Sequence, residues 1–312
     1  MALSSCFDIK IQVQKLPQDP RIFLKETFNP STNSQIPKKM ATSSTQTFAF
    51  LGATGGCTLP VLAQALLSGH HATALARTPE KLRKMLIEAR KVPESVLANQ
   101  LTIVPGSSSD TAAIRTLLVA NGPQKALATV IVSGIGSYPK MNGFNLKTPL
   151  TLEDPHITET AMRNVADALK GLLAEGYRVP GNAAGKPLII AISTTGVTRG
   201  QRDVPLLYLP LYHWALAVMH KDKRAMEDVV IAAKQEGVSR EFVIVRPSLL
   251  TDGAKKGPDA VRVGWENADG KGNQTGPAIG YTICREDVAA WIWEEAVLKE
   301  DAWKGKCVSL TH

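Results

Sequence analysis

The chain has 312 residues, with 36 Lys plus Arg against 28 Asp plus Glu, giving a net charge of +8. An apolar fraction of 44% suits one large α/β domain, or one domain with a small appendage. The basic residues are scattered and no basic run is interleaved with aromatics, which argues against nucleic acid as a partner. No apolar run is long enough to cross a bilayer, so the expected partner is a small molecule.

Four cysteines, Cys6, Cys57, Cys284 and Cys307, lie far apart and lack the paired spacing of a zinc site. They read as free thiols of a reducing, cytoplasmic compartment, with no metal expected. Residues 1–46 hold Pro17, Pro20, Pro30 and Pro37 and show no sustained period. They are expected to be a poorly ordered extension. Asp8, Asp19 and Glu26 argue against a targeting peptide, and Met40 would make a natural start before the first strand.

Residues 47–312 read as one domain. A short apolar run, Phe48 to Leu51, breaks into Gly52-Ala53-Thr54-Gly55-Gly56, and an apolar helix follows from Leu59 to Leu67. Strand, glycine turn and helix together make an anion site. Glycines let the backbone approach a phosphate, and the helix N-terminus presents free N–H groups and a positive dipole. A second strand, Ala72 to Leu75, ends at Arg77-Thr78, and Thr78-Pro79 opens a helix. Leu101 to Val104, Ala128 to Ser133, Leu188 to Ser193, Glu241 to Val245 and Lys306 to Leu310 are the further strands. Asp110 caps one intervening helix, and Asp154-Pro155 opens a long one ending near Gly176. This alternation predicts a doubly wound parallel sheet of Rossmann type, with an irregular, glycine-rich substrate-side region over 247–284. The stretch 204–220, apolar but interrupted by Pro205, Pro210 and His213, reads as a helical lid or wall.

Gly52-Ala53-Thr54-Gly55 resembles the G-A-T-G turn of atypical short-chain dehydrogenases, the NAD(P)H-binding proteins that include NmrA, flavin and biliverdin reductases and the isoflavone-reductase group. Three further segments in the same order carry the resemblance: His220 to Glu227 as a charged helix start, Val243 to Gly253 as a late strand with Arg-Pro and a loop, and Cys284 to Trp291 as a final helix start. The resemblance covers about residues 47 to 312. It implies a nicotinamide dinucleotide held on Gly52, Ala53, Thr54, Gly55, Gly56, Cys57 and Thr58. Thr58 replaces the pattern's third glycine, which normally permits close helix–strand packing. It should either push the helix outward or use its hydroxyl as a cap or phosphate donor. Cys57, at a helix N-terminus, is open to a lowered thiol pKa or to a plain packing role.

Arg77 stands where an NAD-binding unit would place Asp or Glu on the ribose. A guanidinium there suits the 2′-phosphate of NADP, with Thr78 as a second donor. Ligands of such sheets sit beyond the carboxyl ends of the strands, which adds Ser107, Ser133, Gly134, Ser193 and Pro247 to the expected cofactor contacts.

The Tyr-x-x-x-Lys pair of many short-chain dehydrogenases is missing. Tyr208 is followed by Tyr212 at i+4, and Tyr212 by Leu216. The substitutes are Ser193, Tyr212 and Lys223 as catalytic candidates. The expectation is an NADPH-dependent oxidoreductase acting on a small carbonyl, enone or flavin-like substrate. The alternative is a non-catalytic NADP(H)-sensing regulator that binds a protein partner.

Overall fold

The computed structural model describes residues 45–120, 125–136, 140–141, 150–272 and 275–312. The expected extension thus lies almost wholly outside the described residues.

In chain order the elements are β1 (Thr47–Leu51), α1 (Thr58–Leu67), β2 (His71–Ala76), α2 (Pro79–Glu88), α3 (Glu94–Gln100), β3 (Leu101–Pro105), α4 (Thr111–Leu118) and β4 (Val130–Ser133). A two-residue antiparallel pair follows, β5 (Lys140–Met141) and β6 (Leu150–Thr151), then α5 (Ile157–Ala174) and β7 (Leu188–Ile192). A short 3₁₀ turn (Leu206–Tyr208) and a π-helical turn (Leu211–Ala215) lead into α6 (Ala217–Gln235). The chain closes with β8 (Glu241–Pro247), β9 (Leu249–Thr251), β10 (Arg262–Asn267), β11 (Thr282–Cys284), α7 (Arg285–Trp291), α8 (Glu300–Trp303) and β12 (Lys306–Thr311).

Eight strands form the main sheet in the order β10-β12-β8-β7-β4-β1-β2-β3. All neighbours pair in parallel except β10, which runs antiparallel to β12 at the edge. After β3 the order reverses and β4 is laid on the other side of β1. That reversal is the topological switch point of a Rossmann sheet.

The strands are buried on both faces because their side chains alternate between two cores. Phe48 and Phe50 of β1 join a core with Leu62 and Leu66 of α1, Leu82 and Leu86 of α2 and Trp291 of α7. Ala49 and Leu51 face a second core with Ile114 and Leu117 of α4, Val165 and Leu169 of α5 and Met226 and Val230 of α6.

Two helix starts are fixed by carboxylates. Asp110 accepts from Ala112 N and Ala113 N at 3.0 Å each and so caps α4, as its sequence position predicts. The start of α5 is held from a different element: Asp222 of α6, 1% exposed, accepts from Thr158 N and Glu159 N at 3.0 Å. This long-range cap locks α6 against α5.

The stretch 247–284 is less irregular than its composition suggests. β9 and β11 pair in parallel, and β10 belongs to the main sheet. Gly264 allows this, because a Cβ there would lie 2.7 Å from the Pro277 carbonyl carbon. The strands of this stretch were hidden in the sequence by the glycines that let them pack.

Candidate functional site

The turn after β1 and the strand end of β4 meet directly. Gly52 has φ +68, and a Cβ on it would stand 2.7 Å from the Gly134 carbonyl oxygen. Gly134 N donates to Leu51 O at 3.0 Å. Only a residue without a side chain fits there. Gly55 N turns back to Gly52 O at 2.8 Å, and the N–H groups of Gly56 and Cys57 are left without acceptors among the described residues. This is a cradle of backbone donors at the start of α1, with the shape and polarity of a phosphate site.

Thr58 does not point at that site. It is 1% exposed, its hydroxyl donates to Gly52 O, and its Cγ2 lies 2.6 Å from where a Gly134 Cβ would be. It serves as an internal clasp of the turn, its hydroxyl taken up by Gly52 O. Cys57 is 6% exposed, and burial pushes its thiol up to about 12. The packing role is the one realised, since desolvation outweighs the helix dipole and the nearby Arg285.

Arg77 and Thr78 sit just past the carboxyl end of β2, both exposed. Thr78 has N-cap geometry, but its hydroxyl makes no capping bond, so it is available to a ligand. Ser107, partly buried after β3, bonds to the Ser109 hydroxyl at 2.7 Å. Ser133 is 1% exposed at the end of β4, and Pro247 is buried at the end of β8, where its carbonyl accepts from Thr195 N at 3.1 Å. Ala53 is buried and Thr54 exposed within the glycine turn.

Beside the turn stands Lys223. Its Nζ donates to Ile192 O at 2.8 Å and to Ile135 O at 2.9 Å, which places the ammonium between the carboxyl ends of β7 and β4. Burial pushes its pKa down to about 8. An ammonium has three protons to donate, and the third has no acceptor among the described residues. Ser193 follows Ile192. Its Oγ is buried and unpartnered among the described residues, a state that buried hydroxyls rarely keep without a ligand or water.

Tyr212 is not joined to this pair by any hydrogen bond among the described residues. It is 4% exposed, stacks on Tyr208 with ring centroids 6.1 Å apart, and its hydroxyl lies 3.4 Å from Thr195 Oγ1. Burial raises its pKa. It forms part of the wall over the strand ends. The residue one helical turn before Lys223 on the same face of α6 is Met219.

The loop that carries Thr195 is anchored by charges the sequence reading overlooked. Asp203, 2% exposed, accepts from Gly196 N at 3.0 and 2.9 Å, and burial pushes it up to about 6. Arg224 donates to the carbonyls of Val197 and Thr198. Arg246, 1% exposed, pairs with Glu227 at 2.8 and 2.6 Å and with Glu266, and Glu266 accepts from Arg199 N. The signal was present in the Arg-Pro dipeptide, but its buried partners come from elements 19 and 20 residues away.

Residues 52–297 match the NAD(P)H-binding family. The chain belongs to that family. This NAD(P)H-binding protein is 42% identical over 279 residues to the reductase pytE of Aspergillus terreus, covering 86% of its own chain and 99% of the relative. It is 35% identical over 290 residues to the oxidase pynE of Aspergillus niger, again with 86% and 99% covered. Among solved structures, the anaerobillin reductase ChuY of Escherichia coli O157:H7 superposes with a TM-score of 0.51 at 18% identity, over 85% of this chain and 96% of that one. A Bacillus halodurans protein assigned as an NAD-dependent epimerase/dehydratase gives 0.51 at 17%, over 86% and 94%. These structures share the fold. The glycine cradle fits a nicotinamide dinucleotide: Gly52 and Gly134 let the turn pack against the end of β4, and the Gly56 and Cys57 N–H groups keep no acceptor among the described residues. No helix among the described residues is long and apolar enough to cross a membrane.

Proposed function

We propose that this protein is an NADPH-dependent oxidoreductase that reduces a small carbonyl, enone or flavin-like substrate. The observation that carries this reading is the Lys223 ammonium at the switch point, with two protons committed to Ile135 O and Ile192 O and no acceptor for the third among the described residues, together with the buried hydroxyl of Ser193, the residue after Ile192, which has no partner among the same residues.

A reduced nicotinamide, when bound, supplies the hydride. The protein's own residues supply the rest. Backbone N–H groups of Gly56 and Cys57 bind the pyrophosphate, and Arg77 with Thr78 reads the 2′-phosphate. Ser193 and Lys223 bind the substrate oxygen, orient it, and stabilise the negative charge that develops there. Lys223 then gives a proton to that oxygen. Its lowered pKa, near neutrality, suits a general acid. Tyr208, Tyr212 and the segment from Leu206 to Met219 wall the site, and a covered site excludes water. The 42% identity to a reductase supports the direction of the reaction.

Purified protein should consume NADPH, followed by its absorbance, with at least one acceptor among quinones, enones, aldehydes and flavins. Tight but unequal binding of NADP⁺ and NADPH, with every acceptor inert, would replace this reading with the sensing role.

A further inference from the structure

The glycine turn has a cationic neighbour that nothing in the family resemblance names. Arg285, the first residue of α7, lies across Gly56: a Cβ on Gly56 would overlap Arg285 Cδ and stand 3.2 Å from its Nε. The guanidinium thus flanks the same Gly56 and Cys57 whose N–H groups lack acceptors among the described residues. Its Nη1 donates to Asp252 Oδ1 at 2.7 Å, and the Asp252 side chain is 91% exposed.

Building on the cofactor reading, we propose that Arg285 is a pyrophosphate-binding residue. Asp252 holds it while the site is empty, and the dinucleotide's pyrophosphate takes over that ion pair on binding.

Three features support this. An ion pair with so exposed a carboxylate is weak and costs little to open. A pyrophosphate between backbone donors and a guanidinium would make charge-assisted, bidentate bonds. The neighbouring acidic residue, Glu286, is turned to Arg90, whose nitrogens reach it at 2.7 and 3.1 Å, so its charge is neutralised away from the turn. Gly56 is the enabling residue, since any side chain there would displace the guanidinium.

The test is calorimetric titration of the full chain with NADPH, NADH and adenosine 2′-phosphate, which has no pyrophosphate. Arg285→Met should weaken NADPH and NADH alike by about tenfold to a hundredfold, with adenosine 2′-phosphate unchanged and the melting temperature preserved. Asp252→Asn, which breaks the ion pair and keeps the guanidinium, should bind both dinucleotides at least as tightly as the parent. Parental affinities in Arg285→Met would overturn the proposal. So would Asp252→Asn reproducing the loss, since that would make the ion pair merely structural. A parent protein that binds neither dinucleotide would overturn the cofactor reading itself, which is a distinct outcome.

Discussion

Lys223 Nζ and the Ile192 carbonyl oxygen, 2.8 Å apart, tie α6 to the carboxyl end of β7. The adjacent Asp222 ties the same turn of α6 to the start of α5. A helix clamped on two sides can hold an ammonium in place where water is scarce, which is the condition for lowering its pKa. Lys223→Met should therefore reduce kcat by about 10²-fold or more, measured by NADPH consumption with the best acceptor. In the parent, kcat should fall as pH rises through about 8, where the ammonium loses its proton. A flat profile from pH 7 to 9.5 would remove Lys223 as the acid.

The lysine also leaves a mark on stability. Its folded pKa lies below the ordinary value of 10.5, so the unfolded chain binds the extra proton between about 8 and 10.5. The Lys223 contribution to stability should rise with pH across that window. Urea midpoints of the parent minus those of Lys223→Met should increase from pH 8 to pH 10.

Arg77 is exposed at the end of β2, so its replacement should leave the fold intact. Arg77→Glu should weaken NADPH more than NADH, shifting their ratio by about tenfold to a hundredfold, the worth of one charge-assisted contact. Titration with both cofactors checks this; equal losses would remove the 2′-phosphate assignment.

Asp203 works in the opposite sense to a salt-bridged carboxylate. Burial raises its folded pKa from 3.8 to about 6, so its contribution to stability is greatest at low pH and declines as pH rises from about 4 to 6. Asp203→Asn keeps an acceptor for Gly196 N and removes the charge. It should stabilise the protein relative to the parent more at pH 7 than at pH 4.5, by about 2 kcal/mol, read from denaturant midpoints at the two pH values.

Arg246 is the reverse case. Arg246→Met would strand Glu227 and Glu266 in the interior, at a cost of about 3–5 kcal/mol. Circular dichroism melts should show a large drop, accompanied by loss of NADPH turnover as the loop after β7 loosens.

The parallel sheet was legible because several of its buried strands hold a short apolar run bounded by turn residues, as Leu188 to Ile192 is. The glycine turn was legible because Gly52 has one physical use. Asp110 was legible because its cap acts within three residues. What escaped is non-local. Asp222 caps a helix 64 residues away, and Arg285 meets Gly56 from the far end of the chain. β10 was missed because the glycines that let it pack read as loop. The packing of Thr58 depends on Gly134, which follows another strand.

The buried thiol beside the turn has a further consequence. With its thiol pushed up to about 12 by burial, Cys57 stays protonated at pH 7. Peroxide and alkylating agents need the thiolate anion. The nucleotide pocket should thus keep working under oxidative stress that disables enzymes with a reactive cysteine at the same helix end.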